Sequence, residues 1–427
     1  MYDNMYIDYM NFIFTNCYKR GGLMKRFATN KFFKSLLSMF LVVLMALPIN
    51  VFASTNSSQK LIKTSTIELD NSKKTAEVFA LKNILKVVNE VTNEGWTENT
   101  KISDAIITYD LDGNENGYIF NLKTKDKETG YIQILKLNSV YYVNAYTFQG
   151  RHYLDKMIAS YKTKNNNFKD EYKIIYNGNI DFIINEDTMQ KNKYYNLTTE
   201  QTMQYDKSQL QIKYNKIEKN IIENVPSSNS NSFSKLSAAT STTGVKKYVL
   251  NANNADLVEM DDFSGRTLNG QLVDNHCSPT AGTNLIKYWA NRRGVTQLFH
   301  DSDWWVFSSL CVNMSTKFPQ PNAGTSSANF LAGLRNYSTN TRSVSYSGDE
   351  WWGDGFLESC TFSKAKSYID ANVPFHLDLV GHSVVCFGYD TVSGTDKLII
   401  NTGWDKLWTF QAFSSFDIDY YQYVRWN

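Results

Sequence analysis

The chain has 427 residues, of which 42% are hydrophobic and 20% charged, so its length predicts two or three domains that each bury a core. With 44 basic against 42 acidic residues, the formal charge of +2 gives no reason to expect a nucleic-acid partner. Five cysteines without a Cys-x-x-Cys pair predict neither a disulfide scaffold nor a zinc site, and we expect no cofactor.

The first recognisable segment is a secretory signal peptide, Met24 to Ala53. Basic residues follow Met24, an apolar run occupies residues 36–49, and small residues end the segment at Ala53. Ser38 and Pro48 interrupt the apolar run, which is shorter than the roughly 20 residues that cross a bilayer. We therefore expect a secreted, extracellular protein that has no membrane contact once the signal is removed.

Residues 1–23 precede this signal and show no apolar periodicity. The residues from Arg20 to Met24 can be encoded by a purine-rich ribosome-binding sequence followed by a start codon. We expect Met24 to be the true initiator.

Residues 54–223 are predicted to form an α+β domain. Asn71–Glu90 places apolar side chains on one helical stripe with lysines opposite. Turn-forming residues then separate four segments of strand-like alternation, which predict an antiparallel sheet: Ala105–Tyr109, Tyr118–Leu122, Tyr131–Leu135 and Val140–Val143.

The turn after the first of these strands begins like a calcium-binding loop, with Asp110, Asp112 and Asn114 at alternate positions. Glu115 stands where such a loop needs glycine, and Asn121 stands where it needs a bidentate glutamate. We predict a plain hairpin turn and assign no metal to it.

Residues 224–245 change in composition to serine, asparagine, threonine and alanine. Such a stretch buries too little apolar surface to order itself, which is typical of a flexible linker. Exposed segments of this kind are preferred sites of proteolysis, so we place a processing site here.

The segment from Gln271 to Trp289 predicts a reactive thiol at the start of a helix. Pro279 suits a first helical turn, and the apolar residues from Ala281 onward fall on one face, so Cys277 lies at the helix N-terminus. Unpaired N–H groups and the helix dipole favour the thiolate there. A lone cysteine in this position is more often a buried structural residue, so its partners decide the interpretation.

Two predicted strands supply such partners. His382 opens an alternating strand that ends at Asp390, and Asn401 ends the strand that follows. An imidazole takes the proton of a thiol nucleophile and later returns it to the leaving amine, while an amide fixes the imidazole ring. Gln271, six residues before Cys277, is positioned to add an amide donor to an oxyanion hole.

The other histidines have simpler interpretations. His376 is flanked by apolar residues inside a strand and is expected to make ordinary hydrogen bonds, while His276 points away from the thiol. His300 lies in an acidic loop without metal-ligand spacing.

Residues 246–427 resemble papain-fold cysteine peptidases of bacterial type. The segment Gln271–Thr280 is similar to the Q(x5)C-x-P-T segment of relatives of the double-glycine peptidases. His382 and the segment Asn401–Trp404 resemble the His and Asn-Trp motifs of streptopain-like peptidases. The resemblance implies an α+β fold in which a papain-like peptidase domain follows a propeptide-like α+β domain.

The same resemblance assigns four roles. Gln271 would be the oxyanion donor and Cys277 the nucleophile. His382 would be the base, and Asn401 would orient it. Two positions depart from the family. Ser278 stands where relatives usually have glycine, and Trp404 lies one residue further from the asparagine than in papain. The second departure leaves Asp405 as an alternative orienting group.

The leading hypothesis is a secreted cysteine endopeptidase made as a zymogen, which acts on peptide or protein substrates and is inhibited by its own N-terminal domain. On residues alone, that domain is equally consistent with adhesion or targeting. The alternatives are a non-catalytic surface binding module on a papain-like fold, and a thiol-dependent cell-wall amidase or acyltransferase. A disulfide between Cys311 and Cys360 stays open.

Overall fold

The computed structural model describes residues 72–84, 95–137, 140–165, 172–185, 193–205, 207–224, 245–318, 323–353, 359–391 and 395–427. Residues 1–23, the predicted signal Met24–Ala53 and nearly all of the predicted linker lie outside these ranges. Residues 72–224 are called the N-terminal part below, and residues 245–427 the C-terminal part. Both belong to one compact unit, Glu68–Asn427.

The N-terminal part begins with helix α1, residues 72–84, which falls within the predicted helix Asn71–Glu90. Four antiparallel strands follow and include all four predicted strand segments: β1 (Lys101–Tyr109), β2 (Glu115–Thr124), β3 (Lys127–Leu137) and β4 (Val140–Thr147). At the turn between β1 and β2, the carboxylate of Asp110 accepts hydrogen bonds from the N–H groups of Asp112 and Asn114.

The second half of the N-terminal part contains elements that the sequence analysis did not predict. They are α2 (Leu154–Lys164), β5 (Ile174–Tyr176), β6 (Phe182–Asn185), β7 (Lys193–Asn196), β8 (Gln201–Gln204) and α3 (Lys207–Asn224). The strands are three or four residues long, which is too short for an alternating pattern to stand out in the sequence.

The C-terminal part is built from helices packed on a sheet. Its helices are α4 (Cys277–Arg293), α5 (Asp303–Asn313), α6 (Ser327–Asn336) and α7 (Phe362–Asp370). Its strands are β9 (Lys246–Tyr248), β10 (Thr267–Leu268), β11 (Gln271–Leu272), β12 (Tyr346–Gly353), β13 (Phe375–Leu379), β14 (His382–Asp390), β15 (Lys397–Asn401), β16 (Thr409–Ala412) and β17 (Ile418–Trp426).

One mostly antiparallel sheet runs through both parts. Its strand order is β12-β17-β13-β14-β15-β16-β4-β3-β2-β1-β5-β6-β7-β8, with β9 on β14, and only the β1–β5 pairing among its described pairs is parallel. The two parts join where β16 pairs with β4, with Phe410 opposite Tyr146 and Gln411 opposite Ala145. Within the described residues, a shared sheet therefore connects the N-terminal part to the C-terminal part.

The junction also carries a shared core. The ring of Phe410 stacks on Tyr146 at 4.7 Å between centroids and meets the edge of Phe148 at 5.3 Å. The hydroxyls of Tyr131 and Thr409 are hydrogen-bonded at 3.1 Å, and Tyr146 donates to the buried carboxylate of Asp390 at 2.8 Å. Buried apolar contacts of this kind supply most of the free energy that holds two parts together.

Mixed α+β architecture with a large antiparallel sheet is compatible with a papain-like peptidase domain in the C-terminal part. Cys311 and Cys360 carry thiols rather than a disulfide. Among the described residues, no helix has both the length and the apolar character to cross a membrane.

Candidate active site

Cys277 is the first residue of helix α4, as the sequence predicted. The helix is buried from Ser278 to Ala290 and packs on strand β14, so the start of the helix is held firmly against the sheet. It ends at Arg293 and is capped by Gly294, which adopts the left-handed conformation (φ 81°) that glycine reaches without strain. The first N–H groups of a helix lack partners within it, and they stabilise negative charge at the Cys277 side.

His382 is the first residue of β14 and lies directly after the turn at Gly381. Its ring is buried, and Trp404 stacks on it with 5.5 Å between centroids and 9° between planes. The Nε2 atom lies 2.7 Å from the carbonyl oxygen of Thr402. Because a carbonyl only accepts, Nε2 must carry a proton, and this leaves Nδ1 for exchange with Cys277.

Cys277 and His382 stabilise each other's charged forms. Burial alone would raise the pKa of the Cys277 thiol, but the hydrogen bond and the charge of His382 bring it below its ordinary value. Burial would lower the pKa of His382, yet the hydrogen bond and the charge of Cys277, helped by the Thr402 carbonyl, raise it. The pair therefore favours a thiolate beside an imidazolium.

Asn401 ends β15, as the sequence predicted, but the hydrogen bonds of its side chain go to groups other than the imidazole. Its Nδ2 donates to the carbonyl oxygen of Asp405 at 2.7 Å, and its Oδ1 accepts from Asn284 at 3.0 Å. Asn401 thus fastens the loop that follows β15 to helix α4. The group that contacts Nε2 is instead the backbone carbonyl of Thr402, the first residue after β15. This carbonyl takes the orienting position that the sequence analysis gave to the Asn401 amide.

Asp405, the alternative orienting group, forms no hydrogen bond with the imidazole among the described contacts. Its Oδ1 accepts from the N–H of Leu407 at 3.0 Å. Burial raises the pKa of Asp405 to about 6. Its structural contribution is to close the turn that follows Trp404.

Gln271 lies in β11 of a short hairpin, paired with Leu268, and its side chain is exposed. No hydrogen bond between this side chain and Cys277 or His382 occurs within the described part of the chain. The oxyanion role of Gln271 therefore stays a prediction.

Replacing Gln271 with alanine tests that role cleanly. An exposed side chain contributes little to stability, so the melting temperature should stay within about 2 °C of wild type. If the amide holds the oxyanion, turnover should fall about a hundredfold while alkylation of Cys277 is unchanged, since the charge appears on the substrate oxygen only during acylation. Wild-type turnover in this variant would make Gln271 an ordinary hairpin residue.

The remaining histidines have structural environments. His376 is buried, stacks on Phe330 and contacts Gln422 through Nδ1 at 3.0 Å, and burial lowers its pKa to about 3. His276 precedes the nucleophile but contacts Thr280 at 3.1 Å, and burial lowers its pKa to about 4. Both rings are neutral at physiological pH.

The N-terminal part reaches the site through the turn before β6. Asn179 and Asp181 line a cavity of about 380 Å³ together with Val380 and His382. The backbone N–H of Asn179 donates to the Ser415 carbonyl at 3.2 Å, and the charge of Asp181 contributes to the raised pKa of His382. The turn and the imidazole therefore line the same cavity.

Two features of this site were missed from the sequence. The Thr402 carbonyl is a backbone group, so no residue type marks it. The turn at Asn177–Asp181 meets His382 only through folding, since about 200 residues separate them in the sequence. The nearest signal in the sequence was Trp404, which marked the loop that carries Thr402.

A comparison with known protein families finds a match in the C-terminal part. Residues 265–425, which include Gln271, Cys277, His382 and Asn401, match the family model described as the Peptidase_C39 like family. No curated protein shows a significant match to the chain. Over residues 265–425, this match supports a papain-like cysteine peptidase family, in agreement with the resemblance found in the sequence.

Proposed function

We propose that the protein is a secreted cysteine endopeptidase made as a zymogen, with Cys277 as nucleophile and His382 as general base. The observation that carries this proposal is the placement of Cys277 at the start of a buried helix and of His382 at the start of the strand packed on it, with Nε2 held by the Thr402 carbonyl. In this setting the pKa of the thiol is lowered and the pKa of the imidazole is raised. A structural cysteine has the opposite tendency: burial raises the pKa of Cys386 to about 12.

In the proposed reaction, the Cys277 thiolate attacks the substrate carbonyl carbon and a C–S bond forms. The oxygen becomes negative and is held by the N–H of Cys277, with Gln271 as the predicted second donor. Collapse breaks the C–N bond, and the His382 proton passes to the leaving amine. Water then attacks the thioester and gives its proton to His382, and the acid leaves as the thiolate is restored.

The Thr402 carbonyl and Trp404 hold the imidazole in place during these proton transfers. The carbonyl fixes the tautomer through Nε2, and the stacked indole limits ring rotation. Asn401 contributes indirectly by fastening the loop that carries both groups. The proposed catalytic groups are therefore a thiol, an imidazole and a backbone carbonyl, and the asparagine supports the loop that supplies the carbonyl.

We further propose that the N-terminal part inhibits this site until it is removed. It lines the cavity beside His382, which is only 6% exposed. Two lysines of the N-terminal part also form ion pairs with carboxylates of the C-terminal part: Lys156 binds Glu259 at 2.7 Å, and Lys216 binds Asp417 at 2.7 Å. A polypeptide substrate needs an open cleft, and these contacts support occlusion.

Expression from Met24 with Cys277 replaced by alanine tests the proposal. If the site processes its own linker, the variant should accumulate as a precursor that starts near Ser54, while the wild type yields a fragment that starts between Ser227 and Lys247. Mass spectrometry of both products is the measurement. Normal maturation of the variant in the absence of other proteases would exclude self-processing, and a wild type that hydrolyses no peptide in a library would exclude the peptidase.

A further inference from the structure

Two serines flank the proposed catalytic pair. Ser278 follows Cys277 in helix α4, and Ser383 follows His382 in strand β14. Their hydroxyl oxygens are 2.8 Å apart, and each residue is only 5% exposed. This bond joins the element that carries the thiol to the element that carries the imidazole.

The direction of the hydrogen bonds follows from the number of protons. Ser278 hydrogen-bonds to the sulfur of Cys277, and this contact favours the thiolate. A hydroxyl has one proton, so Ser278 donates to sulfur and must accept from Ser383. The backbone N–H of Ser383 also hydrogen-bonds to the sulfur. His382, Ser278 and the N–H of Ser383 thus all favour the thiolate form of Cys277.

We propose that Ser278 and Ser383 form a hydroxyl relay that positions and stabilises the Cys277 thiolate in the peptidase reaction. Ser278 acts on the sulfur directly, whereas Ser383 is a positioning residue that acts through Ser278. The inference rests on the proposed function of this site.

A packing role alone does not account for this arrangement. Two buried hydroxyls cost free energy to desolvate, and an apolar pair of similar size would hold a helix on a sheet without that cost. A donor beside an anion in a low-dielectric site, by contrast, is stronger than one between neutral groups. The relay therefore has its largest effect when Cys277 is ionised.

The pH dependence of Cys277 alkylation by iodoacetamide tests the relay in the full chain expressed from Met24. Peptide mass spectrometry separates Cys277 from the other thiols. Ser278→Ala should move the midpoint of the alkylation profile up by about one pH unit, because a hydrogen bond to an anion is lost. Ser278→Gly should give the same shift, so the test does not depend on the folding of a single variant.

Ser383→Ala should give a smaller upward shift, since the N–H of Ser383 is retained and only the polarisation of Ser278 is lost. Ser383→Thr keeps the hydroxyl in a strand that tolerates branched residues, so it should restore the wild-type midpoint. The double variant Ser278→Ala/Ser383→Ala should match Ser278→Ala alone, because the second hydroxyl acts through the first.

Ser338→Ala is the matched control. Ser338 is fully buried and donates to the Arg335 carbonyl at 2.9 Å, away from the thiol. This variant should lower the melting temperature without moving the alkylation midpoint. The relay would be overturned if neither Ser278→Ala nor Ser383→Ala moved the alkylation midpoint. It would also be overturned if their two shifts added independently in the double variant.

The outcome separates the relay from the proposed function. If wild-type Cys277 is alkylated at a pH well below that of an ordinary thiol, and the serine variants have the same midpoint, the relay is wrong and the peptidase site stands. If wild-type Cys277 titrates like an ordinary thiol, the ion pair fails, and the relay fails with it.

Discussion

Replacing His382 with alanine is expected to lower peptide hydrolysis by about 10²- to 10⁴-fold, the usual contribution of a positioned acid and base. The variant loses both the group that holds the leaving-group proton and the hydrogen bond that lowers the pKa of Cys277. Without that partner, burial dominates, so the thiol pKa should rise above its ordinary value.

The directions of the pKa shifts predict how alkylation and hydrolysis depend on pH. In the wild type, alkylation should begin as pH rises through the lowered pKa of Cys277 and should persist at higher pH. Hydrolysis should fall again above the raised pKa of His382, where the imidazolium loses its proton. In the alanine variant, the alkylation profile should move upward.

His376→Gln is the control for this experiment. His376 lies in the neighbouring strand, is buried, and is neutral because burial lowers its pKa to about 3. Its replacement should leave the alkylation midpoint unchanged. A shift at His376 with none at His382 would reassign the base.

Replacing Phe410 with alanine should cost about 3–5 kcal/mol of unfolding free energy, as for other large aromatic residues cut from a core. The replacement should weaken the junction between the two parts in particular, because Phe410 is 1% exposed and contacts Tyr146 and Phe148 of the N-terminal part. When the predicted linker is cut with an added protease, the wild-type fragments should stay together through the β4–β16 pairing. The variant should release the N-terminal fragment and gain peptidase activity.

Phe330→Ala is the matched control for the junction. Phe330 is also 1% exposed, but it packs on His376 within the C-terminal part. It should lower stability by a similar amount without releasing the N-terminal fragment. Gel filtration after cutting is the measurement. Wild-type fragments that separate as soon as the linker is cut would show that the junction does not retain the N-terminal part.

The local elements were predictable because their patterns are local. Helix α4 begins at Cys277, and His382 opens β14, as Pro279 and the alternation after Gly381 indicated. Each of these signals spans fewer than 20 residues. They sufficed to place the candidate thiol at a helix start and the candidate imidazole at a strand start.

The shared sheet was not predictable in this way. The pairing of β4 with β16 joins segments about 265 residues apart, and neither sequence encodes its partner. The orienting contact was missed for another reason. Asn401 has the residue type that the resemblance required, but the end of β15 turns its amide toward Asn284 and brings the carbonyl of Thr402 to the ring.

The central claim is that Cys277 is an activated nucleophile covered by the N-terminal part, and the most direct test compares two thiol reagents on the wild-type protein. Iodoacetamide is small, whereas a peptidyl electrophile needs the cleft. In the uncut chain, iodoacetamide should modify Cys277 at a pH below the ordinary thiol range, and the peptidyl reagent should react slowly. Once the linker is cut and the N-terminal fragment is removed, the peptidyl reagent should react at least tenfold faster. Equal rates before and after removal, or a Cys277 no more reactive than Cys360, would contradict the account.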